Sequence, residues 1–148
     1  MALNSGKSAR QLAILGAALV LIGLLTGLVS GQMANPRMGL SSHLAGMMGG
    51  TLLLALAAIW PMVRLSPRAG GWAVGLLGFG FTANWLATLL AAMWGAGSET
   101  MPIAGAGHSA APWREGLVAA LLIALSLATI AGIALVLIGL IKGRQSAA

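Results

Sequence analysis

His43 is the residue best suited to chemistry in this chain. It stands near the start of a long apolar run, where an ionisable side chain is costly and usually functional. A neutral imidazole ligates a metal or a haem iron. It serves equally as an interfacial side chain hydrogen-bonded to backbone or to a lipid headgroup, and position alone leaves both readings open. One and two helical turns further stand Met47 and Gly50, with Gly46 beside them. That small, flexible stripe admits either a flat ligand or another helix.

Asn84 is the strongly polar side chain set deepest in an apolar segment, and Thr88 follows one turn later on the same helical face. An amide removed from water needs a hydrogen-bond partner. Two partners fit: a neighbouring helix, with Asn84 as interhelical glue, or a substrate that it orients.

Arg37, Glu99, His108, Arg114 and Glu115 lie in polar, Gly- and Pro-rich stretches. Each has the chemistry of a general acid or base, although most charged loop residues are simply solvated. Glu115 also stands at a helix start, where an acid complements the dipole. Arg37 and Glu99 join Asn84 as the candidate catalytic set. There is no phosphate-binding glycine loop, no Ser-His-Asp signature and no His-Glu-x-x-His. The chain has no cysteine, which excludes disulfide and thiolate chemistry.

The elements that hold these residues follow from composition. Of 148 residues, 59% are hydrophobic and 7% charged, where a soluble domain carries roughly a quarter charged. Such a chain cannot cover its surface for water. In a bilayer each crossing segment must satisfy its own backbone hydrogen bonds, so helices or closed barrels remain. The apolar runs are continuous rather than alternating and therefore read as helices. They predict an all-α integral membrane protein, a single bundle of four transmembrane helices over about residues 11–32, 40–63, 71–94 and 114–141. A cleaved signal peptide is the competing reading for the first, but an uncleaved helix is expected, because Leu12 to Val29 exceeds an h-region of roughly 7–15 residues.

The net charge of +6 does not signal nucleic acid, since the basic residues are scattered rather than clustered on one face. They read as topology signals. Lys7, Arg10, Arg64, Arg68, Lys142 and Arg144 fall in the two tails and the second loop. The other loops hold only Arg37 and Arg114, with both acids. Basic excess marks the cytoplasmic side, so both termini are expected inside. Trp60, Trp94 and Trp113 fall near span ends, where indole rings prefer the membrane interface. Gly23, Gly27 and Gly31, like Gly46 and Gly50, recur every four residues, a spacing that lets helix backbones approach closely in one chain or between chains. Four short helices enclose little interior, which favours a homo-oligomer.

The string Asn35-Pro36-Arg37-Met38-Gly39-Leu40-Ser41-Ser42-His43-Leu44 resembles the hydroxylaminobenzene mutase family. So do Ala83-Asn84-Trp85-Leu86-Ala87-Thr88-Leu89-Leu90-Ala91-Ala92, Trp94-Gly95-Ala96-Gly97, Met101-Pro102-Ile103-Ala104-Gly105 and Gly107-His108. The likeness covers nearly the whole chain. It implies a mutase of the bacterial inner membrane that converts hydroxylaminobenzene to 2-aminophenol, a step in nitroarene degradation. A fainter resemblance reaches styrene oxide isomerase through His43, Gly50 and Pro61 in the second span and the pair Ala83-Asn84 in the third. Gly49 stands where that family has Asn, and Thr88 where it has Tyr. This second likeness implies a trimer carrying haem b, whose ferric iron acts as a Lewis acid. His43 would be the axial ligand, with Gly46, Met47, Gly50 and Thr88 around the cofactor and Asn84 in the substrate pocket. A non-catalytic binding or transport subunit with the same body is the alternative; an ion path would need more intramembrane polar groups.

Overall fold

The structure, a computed structural model, describes residues 2–145, with side chains over residues 5–143, so the Arg144 side chain lies outside the described residues. The elements are α1 (Ala2–Val29), α2 (Pro36–Ile59), α3 (Pro67–Trp94), a short α4 (Pro102–Gly105) and α5 (Pro112–Gln145), with 3-10 turns at Ser30–Gln32 and Trp60–Met62. There is no strand among the described residues. Four of the helices are long and apolar enough to cross a membrane: Ser5–Gln32, Pro36–Met62, Pro67–Trp94 and Pro112–Gly143. The protein is a multi-pass, all-α membrane bundle.

All four long helices begin before the expected spans, α1 at Ala2 and α5 at Pro112. α2 and α3 open on Pro36 and Pro67, which the sequence reading left in loops. Proline is well placed at the first helical position, because its missing N–H has no partner there anyway. Each is preceded by a side-chain cap: Asn35 accepts from the Met38 N–H at 3.1 Å and Ser66 from the Ala69 N–H at 3.3 Å. Pro61 ends α2 by the opposite logic, since a proline inside a helix removes a bond and clashes with the preceding turn. Trp60, expected at the membrane interface, is instead buried with Leu12, Leu56 and Ala73, only 3% exposed.

The most extensive packing is α1 on α2, followed by α5 on α3 and then α2 on α3. The α1–α2 seam is a backbone contact. A Cβ on Gly46 would stand 2.7 Å from the Gly23 Cα, and one on Gly50 would stand 2.6 Å from the Gly16 carbonyl oxygen. Any side chain at these positions would force the helices apart. Part of the close approach foreseen from the glycine spacing is therefore made within this chain. α3 carries a second tight seam, where a Cβ on Gly132 of α5 would lie 2.8 Å from Leu77.

Candidate active site

His43 projects from α2 into the α1–α2 seam and is half-buried. Its Nδ1 lies 2.8 Å from the carbonyl oxygen of Gly23. A carbonyl has no proton to give, so Nδ1 is the donor. In the neutral ring Nε2 then carries the free lone pair. No hydrogen bond to Nε2 is made by the described residues. An imidazole that donates one ring N–H to a carbonyl and offers the other nitrogen is the usual arrangement of a histidine metal ligand. That donor chemistry suits a group held through a single histidine, as a haem with one protein ligand would be. Groups of three or more His, Cys, Asp or Glu that could enclose a bare metal ion are absent among the described residues.

A groove of about 630 Å³ runs along the α2–α3 junction, lined by Met47, Met48, Gly49, Leu52, Phe81 and Asn84 among others. Met48 is 70% exposed, so the groove opens on the outside of the bundle. Asn84 is half-buried, and its side-chain amide has no hydrogen bond to any described residue. Both its donors and its acceptor are therefore available to whatever occupies the groove. Met47 links the two features, one turn from His43 and on the groove wall.

The other expected cofactor contacts stand elsewhere. Gly46 and Gly50 are buried under α1, so neither leaves room for a flat ligand within the chain; what they admit is the neighbouring helix. The Thr88 hydroxyl is 2.8 Å from the Asn84 carbonyl and 3.0 Å from that of Trp85, so it donates back to its own helix. Arg37 is exposed and lines a separate hollow of about 420 Å³ with Ser41, Thr100 and Pro102, at the loop end of the bundle. Glu99, also exposed, precedes Thr100 there. Asn84 lies roughly 15 Å below that end of α3 at 1.5 Å per residue. The three candidate catalytic residues do not form one cluster.

Three of the remaining loop candidates are tied into the structure. Glu115 is 7% exposed and accepts from the backbone N–H groups of Gly97 at 2.8 Å and Ala110 at 3.0 Å. The Arg114 guanidinium lies over the rings of Trp94 and Trp113, 5.5 and 5.3 Å from their centroids. His108 Nδ1 is 3.1 Å from the Gly105 carbonyl.

The sequence reading missed a polar network under the site. Trp85 Nε1 donates to Thr26 Oγ1 at 3.0 Å, Thr26 donates to the Ile22 carbonyl, and Ser42 donates to the Trp85 carbonyl. This network braces α1, α2 and α3 around the His43 level. No periodicity marks it, because the Trp85–Thr26 and Ser42–Trp85 bonds join residues far apart in the chain. Asn35 was also passed over, although Asn-Pro before an apolar run is a readable helix-start signal.

The styrene oxide isomerase family profile matches residues 8–141. The chain is 53% identical over 132 residues to hydroxylaminobenzene mutase HabB of Ectopseudomonas oleovorans, covering 89% of this chain and 80% of that protein. It is 41% identical over 127 residues to hydroxylaminobenzene mutase HabA of the same organism, covering 86% and 94% respectively. No solved structure matches the chain.

Proposed function

This chain belongs to the styrene oxide isomerase family and is an isomerase, and from that premise we propose that it converts hydroxylaminobenzene to 2-aminophenol by intramolecular hydroxyl transfer, with haem b carried on His43. The observation that supports this most is the 53% identity to a protein named for that mutase activity over most of both chains. We further place the protein in the bacterial inner membrane with both termini cytoplasmic, as a homo-oligomer, with a trimer favoured by the family resemblance.

Substrate and product are isomers. The N–O bond breaks, a C–O bond forms at the ortho carbon, and the proton displaced from that carbon ends on nitrogen. No oxidant or reductant is consumed. Charge separates as the N–O bond lengthens, with electron density moving to oxygen and positive charge spreading over the arylamine. Bound at His43, haem iron supplies a Lewis acid for the departing oxygen.

The chain's own residues supply the rest. Met47, Met48, Leu52 and Phe81 give the groove an apolar wall that suits an aryl ring and sheds water, which would otherwise trap the cation at several positions. Asn84 offers its free amide to the hydroxylamine, a hydrogen bond strengthened by the low dielectric. His43, with Nδ1 donating to the Gly23 carbonyl, would hold the cofactor through its other ring nitrogen. An acid-only route would fall to Glu99 or Arg37. Both are exposed beyond the end of α3, far from the Asn84 level, so neither carboxylate nor guanidinium faces the groove.

The test is direct. Purified wild-type protein with haem supplied should form 2-aminophenol from hydroxylaminobenzene without nucleotide or reductant and should show a Soret band. His43→Ala should lose both while still inserting in the membrane, whereas His108→Ala should keep the Soret band. A folded, haem-replete preparation that leaves the substrate untouched would sink the mutase reading, and the binding-subunit alternative would take its place. A haem-fed wild type that is active without a Soret band would refute only the iron route and promote Glu99.

A further inference from the structure

Gly23 and Gly27 of α1 and Gly31 of the 3-10 turn that follows it recur every four residues and have three different environments. A Cβ on Gly23 would meet α2 backbone, 2.9 Å from the Met47 nitrogen. A Cβ on Gly31 would meet nothing within 4 Å. A Cβ on Gly27 would meet the His43 ring itself, at 2.6 Å from Nδ1, 3.0 Å from Cε1 and 3.1 Å from Cγ. Gly27 is thus not part of the backbone-to-backbone seam. Its missing side chain is the space into which the imidazole fits.

We propose that Gly27 is a positioning residue for this site: the slot it leaves in α1 seats the His43 imidazole, delivers Nδ1–H to the Gly23 carbonyl, and so makes Nε2 the nitrogen presented as a ligand. The three ring atoms nearest the slot belong to a rigid ring, so an added methyl cannot be met by bending one atom. The whole ring must move, and the 2.8 Å bond from Nδ1 to Gly23 is lost with it. Without that bond the two neutral tautomers compete, and a ring protonated at Nε2 cannot ligate through that nitrogen. The Gly23–Gly46 contact supplies the other half of the device. It draws α1 close enough for a main-chain carbonyl, rather than a side chain, to orient the histidine.

The consequence for the cofactor rests on the haem reading above, so the experiment separates the two. The chain has two histidines, which makes nitrogen-15 labelling selective. Full-length protein labelled at histidine is prepared without haem in lipid nanodiscs, and a His108→Gln variant assigns the signals. Long-range nitrogen–proton correlation should show His43 as a single Nδ1–H tautomer in the wild type and in Gly31→Ala. Gly27→Ala should show a mixture or the Nε2–H form, and its haem affinity on titration should fall about 10–100-fold, the range for loss of a ligand's orienting partner. A Gly27→Ala protein with the wild-type tautomer and haem affinity would overturn the proposal. An Nε2–H tautomer in the wild type would overturn it too, even were the variant unable to fold. A wild type that shows Nδ1–H but binds no haem would leave the seat standing and refute the cofactor reading alone.

Discussion

The carboxylate of Glu115, in the first turn of α5, receives the backbone N–H of Gly97 at 2.8 Å, across the longest connection in the chain. Its other oxygen receives the N–H of Ala110 at 3.0 Å. One buried side chain therefore closes both ends of the segment between α3 and α5. Each N–H left buried without an acceptor costs about 1–3 kcal/mol. Glu115→Ala should lower the thermal midpoint in detergent clearly, while product formed per folded molecule stays near wild type. Glu115→Gln keeps one carbonyl oxygen for two donors and should fall between. A loss of turnover without a loss of stability would show that Glu115 takes part in the chemistry instead.

Asn35 performs two separable tasks. Its Oδ1 caps α2 at Met38, and its Nδ2 donates to the carbonyls of Ala104 and Gly105 at 3.1 and 3.0 Å. Asn35→Ser keeps a capping oxygen and loses the amide donor; Asn35→Ala loses both. A cap is worth about 0.5–2 kcal/mol. Limited proteolysis between residues 95 and 111 should therefore accelerate in both variants, and the thermal midpoint should fall further in Asn35→Ala than in Asn35→Ser. Equal midpoints would mean that the cap contributes nothing in this setting.

The four spans were legible because a bilayer demands long uninterrupted apolar helices, and such runs have few other uses. The starts of α2 and α3 were less so: Pro36 and Pro67 look like loop residues until the caps at Asn35 and Ser66 are in view. Glycine spacing announced a close approach but could not say to what, and Gly23, Gly27 and Gly31 proved to have different neighbours. His43 and Asn84 stood out as costly polar groups in apolar runs. The tautomer of the first and the unpartnered amide of the second depend on residues distant in sequence, which no local pattern encodes.

Charge distribution carries the topology prediction. Lys7, Arg10, Arg64, Arg68, Lys142 and Arg144 lie at one end of the helical order, and Glu99 and Glu115 at the other. Lys and Arg near span ends are retained on the cytoplasmic side. Reporter fusions after Arg68 and after Gly105 should report opposite sides, the first cytoplasmic. Moving basic residues into the loop after α1 should weaken that preference. Both fusions reporting the same side would contradict the membrane crossing assigned to α3.

Asn84 provides the sharpest separation of function from stability. Its amide has no hydrogen bond to any described residue, so the folded chain loses none when it is replaced. It lines a mostly apolar groove with Met47, Met48, Leu52 and Phe81 among others, where an unpaired amide is costly and an isobutyl group of similar size is not. Asn84→Leu should therefore leave the thermal midpoint unchanged or raise it. If the amide holds the hydroxylamine as the N–O bond breaks, the same variant should lose turnover by about 10²–10³-fold, the cost of removing one preorganised donor from a reacting centre. The Soret band should not move, because Asn84 and His43 share no hydrogen bond and the iron ligand is untouched. Measuring midpoint, spectrum and kcat on one preparation distinguishes the outcomes. A destabilised Asn84→Leu protein would make the residue interhelical glue between protomers, and a stable variant with full turnover would remove Asn84 from the site.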